Sequence, residues 1–516
     1  MNGTTLKKHL LTSAVFAGAA MTVFAAPAFA QDDVERVEAA PADAEARQET
    51  VVVTGSLIPQ SGNLVATSPV SEIGSEEFDI RGAVRAEDIV NTLPQAFGAQ
   101  GSNLANGATG TASVNLRGLG SERTLVLLNG RRLPYGSLNT PAADINFIPS
   151  QLVERVDILT GGASATYGSD AISGVVNFVL NDDFEGVRVD GNYSFYQHDN
   201  DGELQGLLEE FSALNPGQYR VPSGSTVDGE AVDVTAMFGG EIANGRGHIM
   251  GFAGYQNTNE VLQGDRDYSQ CALGTRNGGS EFTCSGSSTN EFTNLLNLDG
   301  DYVFPNGNGT ARVNPDGSGE FIDRNNVTDT FNFNPFNHFQ RPNERYNFGV
   351  FARYDIAENI EAYSELMFMD NRTNSRIAPS GVFGLGVNGS SGGINCDNPF
   401  LSAQQVDFLC GDIPDGTLDF EVDADGAPVL DADGNRIPVF DGLPDATFGP
   451  TDIVPVAALR RAVEAGARNN DIRHTTWRGV MGIRGDLEGT SVGYDVSASF
   501  ANVHRSEVYN NDLSIS

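Results

Sequence analysis

Beyond Lys8 this chain of 516 residues contains no lysine, so arginine is its only strong cation. That usage reflects either codon bias in a GC-rich genome or a preference for bidentate carboxylate pairing. Thirty-one basic residues stand against 68 acidic ones, a formal net charge of −37, and such a chain repels phosphate backbones. Nucleic acid is therefore not an expected partner. Cysteine is scarce: Cys271 with Cys284 and Cys396 with Cys410 form two local pairs. No CxxC occurs and no histidine lies near either pair, so a zinc site is the weaker reading. Two short-range disulfides are expected if the chain is exported, each closure contributing on the order of 3 kcal/mol. After Gln31 no apolar run approaches the roughly 18 residues that a membrane helix needs. The mature chain is then soluble or crosses a membrane as strands.

The N-terminus has an export layout. Lys7, Lys8 and His9 form a basic region, Leu10 to Val23 an apolar core, and Ala28-Phe29-Ala30 a small-x-small cleavage site before Gln31. Residues 1–30 read as a secretory signal peptide. Residues 31–48 are acidic, rich in Ala, Pro and Glu, and free of aromatics, which is the composition of a disordered tether.

Residues 56–181 read as a compact α+β domain. Ala86 to Leu93 suggests a short helix stopped near Pro94, and Leu125 to Leu128 a buried strand before the hairpin signal Asn129-Gly130. Val153 to Leu159 alternates as a strand, Ser164 to Tyr167 permits one helical turn, and Val175 to Leu180 extends again.

Beyond Phe184, segments of about ten residues alternate apolar with polar, as in Tyr346, Phe348, Val350, Ala352 and Tyr354. Strands are expected near 186–197, 231–240, 246–258, 344–356, 359–371, 473–487 and 490–504. A soluble sandwich gives the same alternation. The connections favour an antiparallel transmembrane β-barrel. Long links at 198–230, 259–343 and 372–472 alternate with short ones at Gly240 to Gly245, Ala357-Glu358 and Leu487 to Gly489. Tight turns on one side and long loops on the other are the barrel pattern.

Three stretches together resemble a known family. Glu49, Thr50, Val51, Val52, Val53 and Thr54, closed by Gly55, form an extended β-branched run suited to strand addition. Asn115, Arg117, Gly118, Glu122, Arg123, Asn129 and Gly130 form a glycine- and charge-rich run, and Glu154 with Arg155 follows. Gly161, Gly162, Ser164, Tyr167, Gly168, Asp170, Gly174 and Asn177 complete the pattern. It resembles the plug domain of TonB-dependent outer-membrane receptors. The resemblance implies that residues 49–55 are a TonB box, 56–181 the plug, and 182–516 the N-terminal part of a barrel. Family barrels have 22 strands, so a chain with about seven is expected to be a C-terminally truncated receptor. The plug charges Arg117, Arg123, Glu122, Glu154 and Arg155 are expected to pair with one another and with the barrel wall.

The implied function is TonB-dependent, ligand-gated import of a scarce nutrient, a saccharide, siderophore or similar, across the bacterial outer membrane. The plug would face the periplasm and the long loops the exterior. Partners would be TonB with its inner-membrane energising complex, outer-membrane lipid and lipopolysaccharide, and the cargo, with the receptor a monomer. No cofactor, metal or enzymatic chemistry is called for. The alternative is a passive porin or surface-binding protein with a plugging N-terminal domain, and a third is a soluble periplasmic binding protein.

Other motifs fail on context. Thr166 replaces the second glycine of G-x-S-x-G after Ser164, and no histidine occurs in residues 56–181. Gly384 to Gly389 satisfies G-x-G-x-x-G without a strand before it or a helix after it. The two Asp-Ala-Asp-Gly repeats at Asp423 and Asp431 lack the remaining EF-hand ligands and read as hairpin turns, with weak surface calcium as the alternative. Phe331, Phe333, Phe336 and Phe339 would stack on a cargo or pack within their own loop.

Overall fold

The computed structural model describes residues 70–81, 85–137, 141–215, 217–297, 309–325, 327–383, 393–410, 453–490 and 492–513. The signal segment, the tether, Glu49 to Gly55, Gly384 to Gly389 and both Asp-Ala-Asp-Gly repeats lie outside them.

The N-terminal part is an α+β unit. Its sheet contains β1 (Val70–Gly74), β2 (Thr124–Leu128), β3 (Arg131–Arg132), β4 (Val153–Leu159) and β5 (Gly174–Leu180), in the order β1-β4-β5-β2-β3. Only β2 and β5 run parallel. All five residues of β2 are buried, as its uninterrupted apolar run requires when both faces are covered. Two helices, α1 (Ser75–Arg81) and α2 (Ala86–Val90), precede β2. The expected helix thus ends earlier than Leu93, and residues 91–93 form a turn.

The β2–β3 turn rests on Asn129 and Gly130, at φ 49° and 76°, the left-handed pair that a two-residue hairpin needs. The Leu180 amide donates to Asn129 Oδ1 at 2.9 Å, and the Gly130 amide donates to Asn177 Oδ1 at 2.9 Å. Two separate signature stretches therefore meet in one hairpin lock. Gly174 is equally constrained: its φ is 140°, and a Cβ there would lie 2.3 Å from the Leu159 carbonyl oxygen.

A seven-stranded antiparallel sheet follows: β6 (Gly186–Asn200), β7 (Gly224–Ile242), β8 (Gly247–Thr258), β9 (Asn343–Ala357), β10 (Ile360–Ile377), β11 (Arg468–Asp486) and β12 (Gly493–Asn510). Each pairs with its neighbours in sequence, which makes a simple meander. An estimate of about seven strands describes this one sheet and not the chain, because the described residues hold 25 strands in all.

The orientation of this sheet separates the readings left open by alternation. Along β7, Val232, Val234 and Phe238 are exposed while Ala231, Asp233, Thr235 and Met237 are buried. Along β9 to β11, Tyr346, Phe348, Val350, Leu366, Trp477, Met481 and Ile483 are exposed, whereas Arg345, Glu365, Asn371, His474 and Arg478 are buried. The apolar face points outward and the polar face inward. A sandwich would bury the apolar face against its second sheet, so that reading is excluded. Phe348, Phe368 and Trp477 cluster on the outer face, with ring centroids 4.7 Å and 4.4 Å apart in succession.

The inner face packs on the α+β unit. Met237, Met250, Phe252, Phe351, Met367 and Met369 join one core with Ile89, Leu116, Val126, Phe147, Val156 and Phe178. The two parts share a hydrophobic centre inside a polar surround.

The described parts of the long links hold regular structure. Asn294–Asn297, Thr310–Val313 and Phe321–Asp323 from one link pair with Gly381–Phe383 and Val456–Arg461 from another to make a second five-stranded sheet. Disulfides join Cys271 to Cys284 and Cys396 to Cys410. The first packs against Leu208 and Phe211 of α3 (Gln205–Leu214), and the second joins a core with Leu295, Phe321 and Leu409. Phe331 stacks on Phe336 at 5.7 Å, with the Arg461 guanidinium 4.8 Å over its ring. These two aromatics serve their own loop.

Gly174→Ala combines a forbidden φ with a clash against backbone, and is expected to cost about 3 kcal/mol. The shift of the chemical-denaturation midpoint measures it.

Candidate functional site

The signature charges stay within the α+β unit. Arg117, itself at φ 57°, donates from Nε to the Ser173 carbonyl at 3.1 Å and from Nη2 to the Ile172 carbonyl at 2.9 Å. Arg123 pairs with Glu122 at 3.0 Å on the surface, and Arg155 pairs with Asp157 at 3.3 Å. Glu154 is exposed. Asp170 accepts from Arg132, which holds its carboxyl below the usual range. Asn115 Oδ1 accepts from the Gly120 amide at 2.8 Å and closes the turn through Gly118. Gly161 and Gly162 end β4, and Ser164 opens the single helical turn that closes at Tyr167 and Gly168. Arg123 and Glu122 thus pair with one another, and among the described residues no ion pair of these signature charges extends to the wall sheet.

Other residues make the contact with the wall. The side chain of Arg131, at the hairpin tip, donates to the Tyr363 hydroxyl and to Asp495 Oδ2 at 3.1 Å. It also lies 3.6 Å from Glu365, which the buried Arg478 holds from the wall side at 2.7 Å. Arg345 Nη2 donates to Asn146 Oδ1 at 2.6 Å, and its Nε donates to Asn371 Oδ1 at 3.2 Å. Asn371 in turn donates to the Gly110 carbonyl. Gly110 approaches so closely that a Cβ would stand 2.8 Å from the Ile472 side chain. Arg341 donates to the Gly101 carbonyl at 2.7 Å, and burial pulls its guanidinium down to about 10.

Asp144 sits at the centre of this junction. It accepts from the Ala112 and Asn146 amides at 2.9 Å and 3.1 Å, yet burial pushes its carboxyl up to about 6. The backbone bonds and nearby Arg345 oppose that rise without cancelling it. Its Oδ2 is buried without a hydrogen-bond partner.

Among the described residues, cavities open at both ends of the junction. At the end of the sheet with short turns, a polar cleft of about 280 Å³ lies between Asn129, Arg131 and Asp182 on one side and Arg353, Glu365 and Arg484 on the other. At the end with long links, a cavity of about 410 Å³ is lined by Arg85, Glu87 and Asp88 of the α2 region and by Tyr196, Tyr268 and Phe339 from the wall and loops. Phe339, unlike Phe331, thus faces open space. The remaining lining residues carried no sequence motif. Glu87 and Asp88 stand in the sequence only as members of the helix expected from Ala86 to Leu93, and Tyr196 only within the strand expected near 186–197. Among the described residues no group of His, Cys, Asp or Glu is arranged to hold a metal ion.

Residues 64–175 match the family model described as the TonB-dependent Receptor Plug Domain. Among solved structures, the siderophore receptor PirA from Acinetobacter baumannii is 13% identical. That match covers 84% of this chain and 48% of PirA, with a TM-score of 0.30. The ferric enterobactin receptor PfeA from Pseudomonas aeruginosa is 13% identical over 86% of this chain and 55% of its own, at 0.30. BauA, the ferric preacinetobactin receptor from Acinetobacter baumannii, is 11% identical over 87% and 48%, at 0.37. The chain spans about half the length of the structures it matches. The matched residues span most of the α+β unit and identify it as a TonB-dependent receptor plug domain.

Proposed function

We propose that this chain imports a scarce solute across the bacterial outer membrane, with residues 64–175 as the gate and residues 186–510 as part of a transmembrane β-barrel. The observation that carries this reading is the inverted sheet. Seven strands turn their apolar faces outward, where no other part of the described chain covers them. From Tyr346 to Tyr354 the exposed band runs about 25 Å at the rise of an extended strand, comparable with the hydrocarbon-facing band of outer-membrane barrels. In water so large an apolar surface is a liability; in lipid it is the solvated face.

The gate then works through its polar perimeter. Cargo enters from the end with long links, where the larger cavity lies against α2. The plug occupies the lumen and is held by hydrogen bonds and ion pairs around Arg131, Arg345 and Arg341. These perimeter contacts can be exchanged for water one at a time, whereas the apolar centre that the plug shares with the wall is exposed to water at once when it parts. Glu49, Thr50, Val51, Val52, Val53 and Thr54 supply an extended segment for strand addition to TonB, whose inner-membrane complex provides the force. No covalent step on the cargo is required.

Deleting residues 49–54 is expected to abolish energised uptake while leaving the receptor assembled in the membrane; uptake that continues unchanged would sink the active-import reading. Leu366→Arg places a cation on the outward band and is expected to cost about 2–4 kcal/mol near the bilayer midplane. Reversible unfolding from lipid vesicles measures it, and an unchanged stability would argue against a lipid-facing surface. Asp144 gives the junction a pH dependence. Between the unfolded-chain value of about 4 and about 6, the native protein holds the extra proton. Stability therefore falls as pH rises through that window and is level above it, by on the order of 3 kcal/mol in total. Asp144→Asn is expected to remove this component from a stability–pH profile.

A further inference from the structure

The cavity of about 410 Å³ beside α2 has a chemistry that selects among cargoes. Three of its walls are aromatic: Tyr196, Tyr268 and Phe339 expose 51%, 43% and 44% of their surfaces. The Tyr268 and Phe339 rings meet edge to face at 6.1 Å, and His198 stands edge-on to Tyr268 at 5.1 Å. Exposed rings in a concave site offer flat apolar faces to a ligand.

The charges lining the same cavity are already committed. Arg85 lies 3.1 Å from Asp88 and 3.8 Å from Glu87. Arg266 holds Asp228 at 2.5 Å, and His198 lies 2.9 Å from Asp267. No basic group of the lining is left without a carboxylate, so an anionic ligand would have to break an ion pair and then face the freed carboxylate. A cationic ligand would have to bring its charge beside the Arg85 guanidinium to reach Glu87 and Asp88.

Among the described residues, two buried polar atoms of this lining are left without a partner. Arg85 Nη1 and Glu87 Oε2 are both buried and have no hydrogen-bond partner within the protein. Arg85 is 8% exposed and Glu87 4% exposed, and the Ser102 amide fixes the other Glu87 oxygen at 3.1 Å. A hydroxyl is donor and acceptor at once. Two neighbouring hydroxyls satisfy this pair, one accepting from the guanidinium and the other donating to the carboxylate, after a small shift opens the pair to the cavity.

We infer that this cavity binds an uncharged polyhydroxylated cargo, a saccharide of one to three rings, with C–H faces on Tyr268 and Phe339 and hydroxyls on Arg85 and Glu87. The inference rests on the import reading for its purpose, but binding itself requires neither TonB nor a membrane potential. The two therefore fail separately: loss of saccharide binding leaves the effect of the 49–54 deletion on uptake untouched.

The test is direct binding to the purified full chain in detergent. The probes are an array of neutral mono- to trisaccharides and the trianionic ferric tris-catecholate complex, each at low and high salt. The expected result is binding of at least one neutral saccharide with affinity independent of salt, and no binding of the ferric complex. Tyr268→Leu and Phe339→Leu each weaken that saccharide about tenfold, while the thermal transition stays in place because both rings are exposed. Three results would overturn the inference: no saccharide on the array binds, the ferric complex binds and loses affinity in the same variants, or saccharide binding ignores both substitutions.

Discussion

The constraint on which the rest depends is that a sheet with its apolar side turned outward must find partners for its polar side. Arg345, Glu365, Asn371 and Arg478 all face inward and are buried. A buried charge without partners is costly, so the inner face needs either water or a protein surface that can answer it. The α+β unit answers with backbone carbonyls at Gly101, Ala105 and Gly110 and with side chains at Arg131 and Asn146. Glycine and alanine at these places bring carbonyls within reach of the wall. The methionines of the wall fill what remains, being pliable enough to pack against an irregular surface.

The loop layer follows from the same architecture. Links of such length are entropically expensive to order, and two devices offset the cost. Short strands from separate links share one sheet, so each orders the other. The two disulfides tie each cysteine pair to a small apolar cluster of its own. Arg461 joins these parts by donating to the Thr289 and Pro379 carbonyls and covering the Phe331 ring.

What was legible in the sequence was local. The period-two pattern from Tyr346 to Tyr354 located a strand because every second residue there meets one environment. Asn129-Gly130 announced its turn because few other pairs tolerate two left-handed residues in succession. The second sheet stayed hidden because its strands are only three to six residues long, too short for a period to register. The junction with the wall was invisible for another reason. Arg341 meets Gly101 across 240 residues, and nothing near either position signals the other. The arginines of the signature were legible as important, but their partners, the Ser173 and Ile172 carbonyls for Arg117, carry no charge to be read.

The place of β1 in its sheet has a mechanical consequence. It is an edge strand, joined to β4 by five residue pairs from Val70↔Leu159 to Gly74↔Arg155, and it is the first strand of the described residues. Tension applied from the N-terminal side therefore loads the margin of the plug before its centre. The pairs of β1 yield in series, each under a modest load, while the parallel β2–β5 pair at the interior of the sheet bears none until the margin has gone. In the import reading proposed above, a pull from that side would reach the edge strand before the other four.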